Sequence, residues 1–303
     1  MALELQGVTK ASHIFANLKS RHSCNDFNRK SREMKMAQSD TTNLPTTVIP
    51  LKYKLELKPD FNDFQFRGRE SIEIKVHEPT DHITLNATEL QVYSCAVTLS
   101  NGTTLISVDT RFDADAETVT FTFPQEILAG TATLLLEFSG ELNDKLHGFY
   151  RSRYHDQNGE QRYLATTQFE ATDARRAFPC WDEPAHKAKF QVTLTVPSEM
   201  SAISNLQVIS ETHADDDTKR VQFAETPPMS TYLLAFVVGH LKAIEKRASD
   251  GTLMRVWATE GKENHGRFAL DVSVKLLAYF NDYFGIPYPH EKLDHIAVPD
   301  FAA

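Results

Sequence analysis

Gln168 and Glu170 stand two residues apart in the stretch Thr167 to Phe190, TQFEATDARRAFPCWDEPAHKAKF, which holds the chain's densest mixture of ions, prolines and aromatics, together with a cysteine. Side chains alternate across a strand. If the segment from about Glu160 to Glu170 is extended, Tyr163, Ala165, Thr167 and Phe169 share one face. Leu164, Thr166, Gln168 and Glu170 share the other. Two residues of strand span roughly 7 Å, so an amide and a carboxylate would point the same way and could grip one small polar group. Just upstream, Asn158-Gly159 is a hairpin signal that predicts a type I′ turn launching this strand.

The other ions of the stretch, Asp173, Arg175, Arg176, Asp182 and Glu183, read as a framework, because buried arginines and acids occur paired. An ion pair to Arg175 or Arg176 is the competing structural role for Glu170. Trp181 reads as core, and Cys180, between Pro179 and Trp181, as a small packed residue with no histidine nearby in sequence to generate a thiolate. Hydrolytic zinc needs two histidines at i and i+4 of one helix with a glutamate between them. His290-Glu291-Lys292-Leu293-Asp294-His295 places them five apart, after Pro289 and in a β-like segment, and His77-Glu78-Pro79 has no second histidine in place. The 12 glycines form no phosphate-binding loop.

The elements that must position these residues are mainly β. Leu51, Tyr53, Leu55 and Leu57 alternate with Lys52, Lys54, Glu56 and Lys58, and Ile72, Ile74 and Val76 alternate with Ser71, Glu73 and Lys75. The same period recurs at Val119, Phe121 and Phe123, at Leu134, Leu136 and Phe138, and at Phe190, Val192, Leu194 and Val196, with turn signals at Asn101-Gly102 and Ala129-Gly130. Repeated short strands of this kind predict an antiparallel all-β domain. Asp215-Asp216-Asp217 reads as a polar turn, and the uniformly apolar run Tyr232 to Val238 as a strand buried on both faces. Past a boundary near residues 243–250, Thr252 to Ala258 reads as a strand. Phe268, Val272, Leu276, Tyr279, Phe280 and Tyr283 mark one face of a helix stopped by Gly285, Pro287 and Pro289, and Leu293 to Val298 reads as a last strand. This strand–helix–strand run cannot bury its apolar face alone.

Net charge is −9, yet residues 1–36 carry seven Lys or Arg against three acids, a net +4 that leaves −13 on the other 267 residues. An acidic body argues against nucleic acid, which is gripped through clustered Lys and Arg, and suits cationic ligands. Three scattered cysteines build no disulfide framework, and no apolar run reaches the roughly 20 residues of a membrane span. The composition points to the cytoplasm, with a mitochondrial location as the alternative if basic residues 1–36 act as a transit peptide. The sequons at Asn86 and Asn101 carry little weight, since such triplets are common by chance.

TQFEATDARRAFPCWDEP, with ELNDKLHGFYRSRY at 141–154, TPPMSTYLLAFVVG at 226–239 and PDFAA at 299–303, resembles the M1 zinc metallo-aminopeptidases from about Pro45 to Ala303. Residues 1–44 read from their composition as a basic and polar, disordered N-terminal extension, and the resemblance implies an antiparallel all-β saddle or sandwich domain over 45–245. Residues 246–303 would then be the first strand–helix–strand of a thermolysin-like α/β catalytic domain. It implies peptide substrates with a free N-terminus, neither nucleic acid nor membrane as partner, and a zinc cofactor in the full-length family enzyme. The family pattern runs on after PDFAA into a Gly-Ala-Met-Glu-Asn loop and a His-Glu-x-x-His helix. Neither occurs in this sequence, so no zinc is expected to bind this chain and no turnover is expected from it alone. In the family an acid at the position of Glu170 receives the substrate α-ammonium group, and the residue matching Gln168 lines the same pocket. A non-catalytic β-domain used as an interaction module is the alternative.

Overall fold

The alternating segments pair into sheets in a computed structural model that describes residues 43–214 and 217–301. The first ten strands are β1 (Val48–Asp60), β2 (Gln65–Val76), β3 (Thr80–Asn86), β4 (Leu90–Leu99), β5 (Thr104–Ile106), β6 (Asp109–Asp113), β7 (Thr118–Ile127), β8 (Gly130–Glu141), β9 (Gly148–His155) and β10 (Gln161–Gln168). After the signature stretch come β11 (Lys189–Pro197), β12 (Ser201–Ser204), β13 (Val208–His213), β14 (Thr218–Phe223), β15 (Phe236–Gly239), β16 (Leu241–Arg247) and β17 (Leu253–Thr259). Helix α1 (Arg267–Phe284) and β18 (Lys292–Ile296) complete the described elements.

An eight-stranded sheet runs β13-β14-β11-β1-β2-β8-β4-β5, a four-stranded sheet β12-β15-β10-β9, and two three-stranded sheets β3-β7-β6 and β16-β17-β18. Most ladders are antiparallel, but β1 lies parallel to β11 and β17 parallel to β18. One continuous apolar core joins the inner face of the large sheet to β3 and β7 and to one face of the four-stranded sheet, through Tyr53, Ile72, Phe121, Leu134, Phe149 and Phe236. The opposite face of the four-stranded sheet packs through Leu164, Val237 and Tyr154 against Trp257 and Ile296. Both faces of β10 are therefore buried, which explains why Leu164 and Ala165 on successive positions are each fully enclosed.

Local exceptions have physical causes. Leu51 is 40% exposed rather than buried, because a register shift between Pro50 and Lys52 inserts one residue and turns it outward. The turn before β10 spans Asp156 to Glu160, and of its residues only Gly159 has positive φ, at 80°; a type I′ turn requires two such residues. Asp156 holds it instead, its carboxylate accepting from the Asn158 and Glu160 amides at 2.9 and 3.0 Å. Tyr232 to Val238 is not one strand: Thr231–Leu233 forms a short 3-10 turn with Leu233 exposed, and β15 begins only at Phe236. Asp215 and Asp216, and all of residues 1–36, lie outside the described residues.

Helix α1 packs on β16 and β17 through Leu270, Val274 and Leu277, which meet Ile244, Met254 and Val256. The stripe marked by Phe268, Leu276, Tyr279, Phe280 and Tyr283 is the exposed one, left uncovered as expected of a strand–helix–strand run that cannot bury its apolar face alone. Apolar residues occur on both sides of this helix, and periodicity alone does not say which side meets the sheet.

Candidate functional site

The site is the end of β10 and the turn that follows. Gln168 is the last residue of β10, opposite Gly148 of β9 in the ladder, and is half-buried. Glu170, expected to end the strand, sits two residues past it in the turn, exposed, and its peptide bond to Ala171 is cis. Along β10 the burial falls from enclosed at Leu164 and Thr166 to half-buried at Gln168, and the turn beyond it is exposed at Glu170.

Phe169 fixes the position between them. Its ring is buried and meets Phe178 edge-on at 6.0 Å and Phe236 at 5.9 Å. Phe236 in turn packs on Phe149 at 4.9 Å, and its amide donates to the Thr167 hydroxyl at 3.2 Å. With the residues on either side anchored, the main chain at Gln168 and Glu170 has little freedom to move. Neither side chain has an ion pair or hydrogen bond among the described residues. In particular, Glu170 is not the partner of Arg175 or Arg176.

Those arginines are engaged elsewhere. Arg175 Nε lies 3.0 Å from Asp182 Oδ2, and its Nη1 lies 3.0 Å from Glu117 Oε2. Arg176 meets Asp173 at 2.7 Å, Glu89 at 2.9 Å and Glu117 at 3.4 Å, and His147 Nδ1 lies 3.3 Å from Asp173. Burial raises the Asp182 carboxyl, with the Arg175 guanidinium pulling the other way. Burial also works against the Arg176 charge, but Asp173 and Glu89 hold its guanidinium above the ordinary value. The network clamps the 3-10 turn Ala174–Arg176 that follows Glu170. Gly148 makes that clamp possible: at φ 70°, an added Cβ would stand 2.9 Å from Cβ of Arg176.

The rest of the stretch is structural. Cys180 forms an antiparallel bridge with Asn86, whose side-chain carbonyl accepts from the Asp182 amide at 3.1 Å. The Trp181 amide donates to the Tyr53 hydroxyl at 3.2 Å, and the Trp181 carbonyl accepts from Thr231 at 3.0 Å. Cys180 and Trp181 are fully enclosed, and burial pushes the Cys180 thiol far up. Asn86 is itself only 2% exposed, which closes that sequon to modification in the folded chain. Sequence reasoning missed Asn86, Glu89, Glu117 and His147. All four come from turns and strand ends distant in sequence, and only positive φ at Glu89 and Glu117, invisible before folding, sets the two acids apart.

Metal donors do not converge. His290 precedes β18 and His295 lies within it, so the two are not on a helix. Among the described residues no three His, Cys, Asp or Glu side chains are grouped to hold an ion. No helix among the described residues is long and apolar enough to cross a membrane.

Residues 49–233 match the family described as the Peptidase M1 N-terminal domain. Over 260 residues the chain is 48% identical to Aminopeptidase M1-B of Oryza sativa subsp. japonica and 44% identical to Puromycin-sensitive aminopeptidase of Caenorhabditis elegans. These alignments cover 86% of this chain but 29% and 27% of the relatives. Aminopeptidase 2, mitochondrial, of Saccharomyces cerevisiae is 43% identical over 265 residues, covering 86% of this chain and 27% of the yeast protein. The chain thus spans less than a third of the length of these curated relatives. Because the match takes in more than half of its residues, including the strand end and the clamped turn just described, the chain belongs to the peptidase M1 N-terminal domain family.

Proposed function

We propose that this chain is the N-terminal portion of a zinc-dependent aminopeptidase, and that Glu170, with Gln168 beside it, receives the free α-ammonium group of a peptide. The observation that carries the reading is the state of Glu170: an exposed carboxylate, unpaired among the described residues, next to the locked Phe169 and the clamped turn. An exopeptidase must measure one residue from the end of its substrate. A fixed carboxylate does this because it makes charge-assisted hydrogen bonds with a free amine and none with an acylated one. Gln168 supplies a neutral donor and acceptor on the same stretch, suited to orient the amine without adding charge.

Zinc, the water it activates and the general base would come from residues other than these 303, and the chain alone supplies the amine anchor only. The acidic body, −13 beyond residue 36, favours peptides with a free N-terminus over nucleic acid. A cytoplasmic location fits this composition; a mature N-terminus near Met36 in isolated mitochondria would reverse that assignment.

Two measurements test the proposal. Titration of the purified chain with alanyl-alanine amide and with its N-acetyl form, followed by NMR, should show shifts near Glu170 for the free amine alone, lost in Glu170→Ala. Equal shifts for the acetylated peptide would sink the anchor. Metal analysis with a fluorogenic aminoacyl substrate should find neither stoichiometric zinc nor turnover, and finding both would overturn the division of labour.

A further inference from the structure

The outer face of the eight-stranded sheet carries a feature that peptide binding at Glu170 does not use. Lys58 of β1 and Arg67 of β2 stand directly opposite each other in the ladder, and both are exposed. Cβ atoms of opposed residues lie about 5 Å apart, and like charges at that spacing destabilise a sheet. Several cations on this sheet have counter-ions: Arg69 pairs with Glu137, Arg220 with Glu56 at 2.7 Å, and Lys52 with Glu225 at 2.5 Å. Lys54 and Lys75 have none among the described residues, but they stand opposite Ser71 and Ile49 rather than opposite another cation. Lys58 and Arg67 have neither ion pair nor side-chain hydrogen bond among the described residues.

The two cations line a groove of about 540 Å³ with Glu56, Arg69, Tyr93 and Glu137. Because Glu56 and Glu137 are already engaged by Arg220 and Arg69, the charge left over in the groove is positive, on a body that is otherwise strongly acidic. Tyr93 is placed there by a β-bulge: the register of β4 on β8 shifts between Val92 and Ser94, and Tyr93 is the inserted residue. Its ring is 58% exposed, and its hydroxyl is held at 2.7 Å by Ser139, the residue opposite Arg67 on β8. An aromatic wall is thus tethered to the strand position facing the free arginine.

We propose that this groove binds a phosphoryl dianion, clamped between Lys58 and Arg67, with any aryl group that the phosphate carries lying against Tyr93. The planar guanidinium can hold two oxygens of such a group while the ammonium acts as a point charge on a third. Binding removes the cross-strand repulsion, so the cost built into the ladder is relieved only when the anion is present.

Isothermal titration calorimetry on the 303-residue chain at constant ionic strength, with inorganic phosphate and phenyl phosphate as probes, tests this. Saturable one-to-one binding is expected, weakened about ten-fold or more by Arg67→Glu or Lys58→Glu and unchanged by Lys262→Glu, an exposed lysine outside the groove. Phenyl phosphate bound about three-fold more tightly than phosphate, with the gain lost in Tyr93→Ala, identifies an aryl ester as the ligand, and equal binding identifies the free anion. Melting provides an independent readout: phosphate should raise the Tm of the parent chain but not that of Arg67→Thr, whose own Tm without phosphate should be no lower than the parent's. Absence of saturable binding, or an equal loss in Lys262→Glu, would overturn the proposal.

Discussion

Replacing Glu70 should make this protein more stable, and should do so in a way that depends on pH. Glu70 is completely enclosed, and neither of its carboxylate oxygens has a hydrogen-bond partner among the described residues. It sits on β2 between Leu55 of β1 and Leu136 of β8. Tyr53, Cys95 and Cys180 are close enough for its charge to push their own protons on more tightly. Burial holds its carboxyl well above the ordinary carboxylate range. Leaving a buried polar group unpaired costs about 1–3 kcal/mol. Glu70→Leu removes that cost and adds apolar surface between two leucines, so a gain of about 1–3 kcal/mol is expected at pH 7. In the parent chain the folded form keeps its proton above the unfolded value of 4.5. Its contribution to stability is therefore fully present below pH 4.5 and is lost as pH rises towards the folded value, with a slope of up to about 1.4 kcal/mol per pH unit. Glu70→Gln, which cannot ionise, should lack this slope. Urea unfolding followed by tryptophan fluorescence at several pH values from 5 to 8 measures both effects. Parallel pH profiles for the parent and Glu70→Gln, or a loss of stability in Glu70→Leu, would refute the reasoning.

Two further substitutions probe the clamp after Glu170. Arg175→Met leaves the carboxylate of Asp182, 2% exposed, without its guanidinium; a loss of about 3–5 kcal/mol is expected in urea unfolding. Gly148→Ala forces a Cβ to 2.9 Å from Arg176 at a φ of 70°, and should cost about 1–3 kcal/mol, read as a lower Tm.

Much of the β architecture is legible where one face of a strand meets the core. On β2, Ile72, Ile74 and Val76 are buried as their alternation predicts. Alternation fails where an extra residue enters, as at Leu51, and is silent on whether a neighbouring strand runs parallel, as β11 does beside β1. It also passes over Glu70, whose charge marks it for the outside while its strand position puts it within the apolar row. On α1 apolar residues line both sides, aliphatic on one and largely aromatic on the other, and only the sheet decides which is covered. At the site, the strand expected to reach Glu170 ends at Gln168, and Glu170 stands in the turn beyond it, where strand alternation no longer applies. The clamp is not legible either, because Glu89 and Glu117 reach Arg175 and Arg176 from turns some 60 to 90 residues upstream.

The parallel pairing of β1 with β11 also bears on how the chain is made. Lys52 pairs with Lys189, 137 residues later, whereas β2, the other neighbour of β1, follows at once. At a synthesis rate of about 5–20 residues per second, that edge of β1 waits about 7–30 s for its partner. Tyr53 likewise waits for the amide of Trp181. During this interval an edge strand with an apolar inner face stands open on the ribosome, the condition under which nascent sheets pair with the wrong neighbour. The same signature stretch that later holds Glu170 in place thus decides when the largest sheet can close.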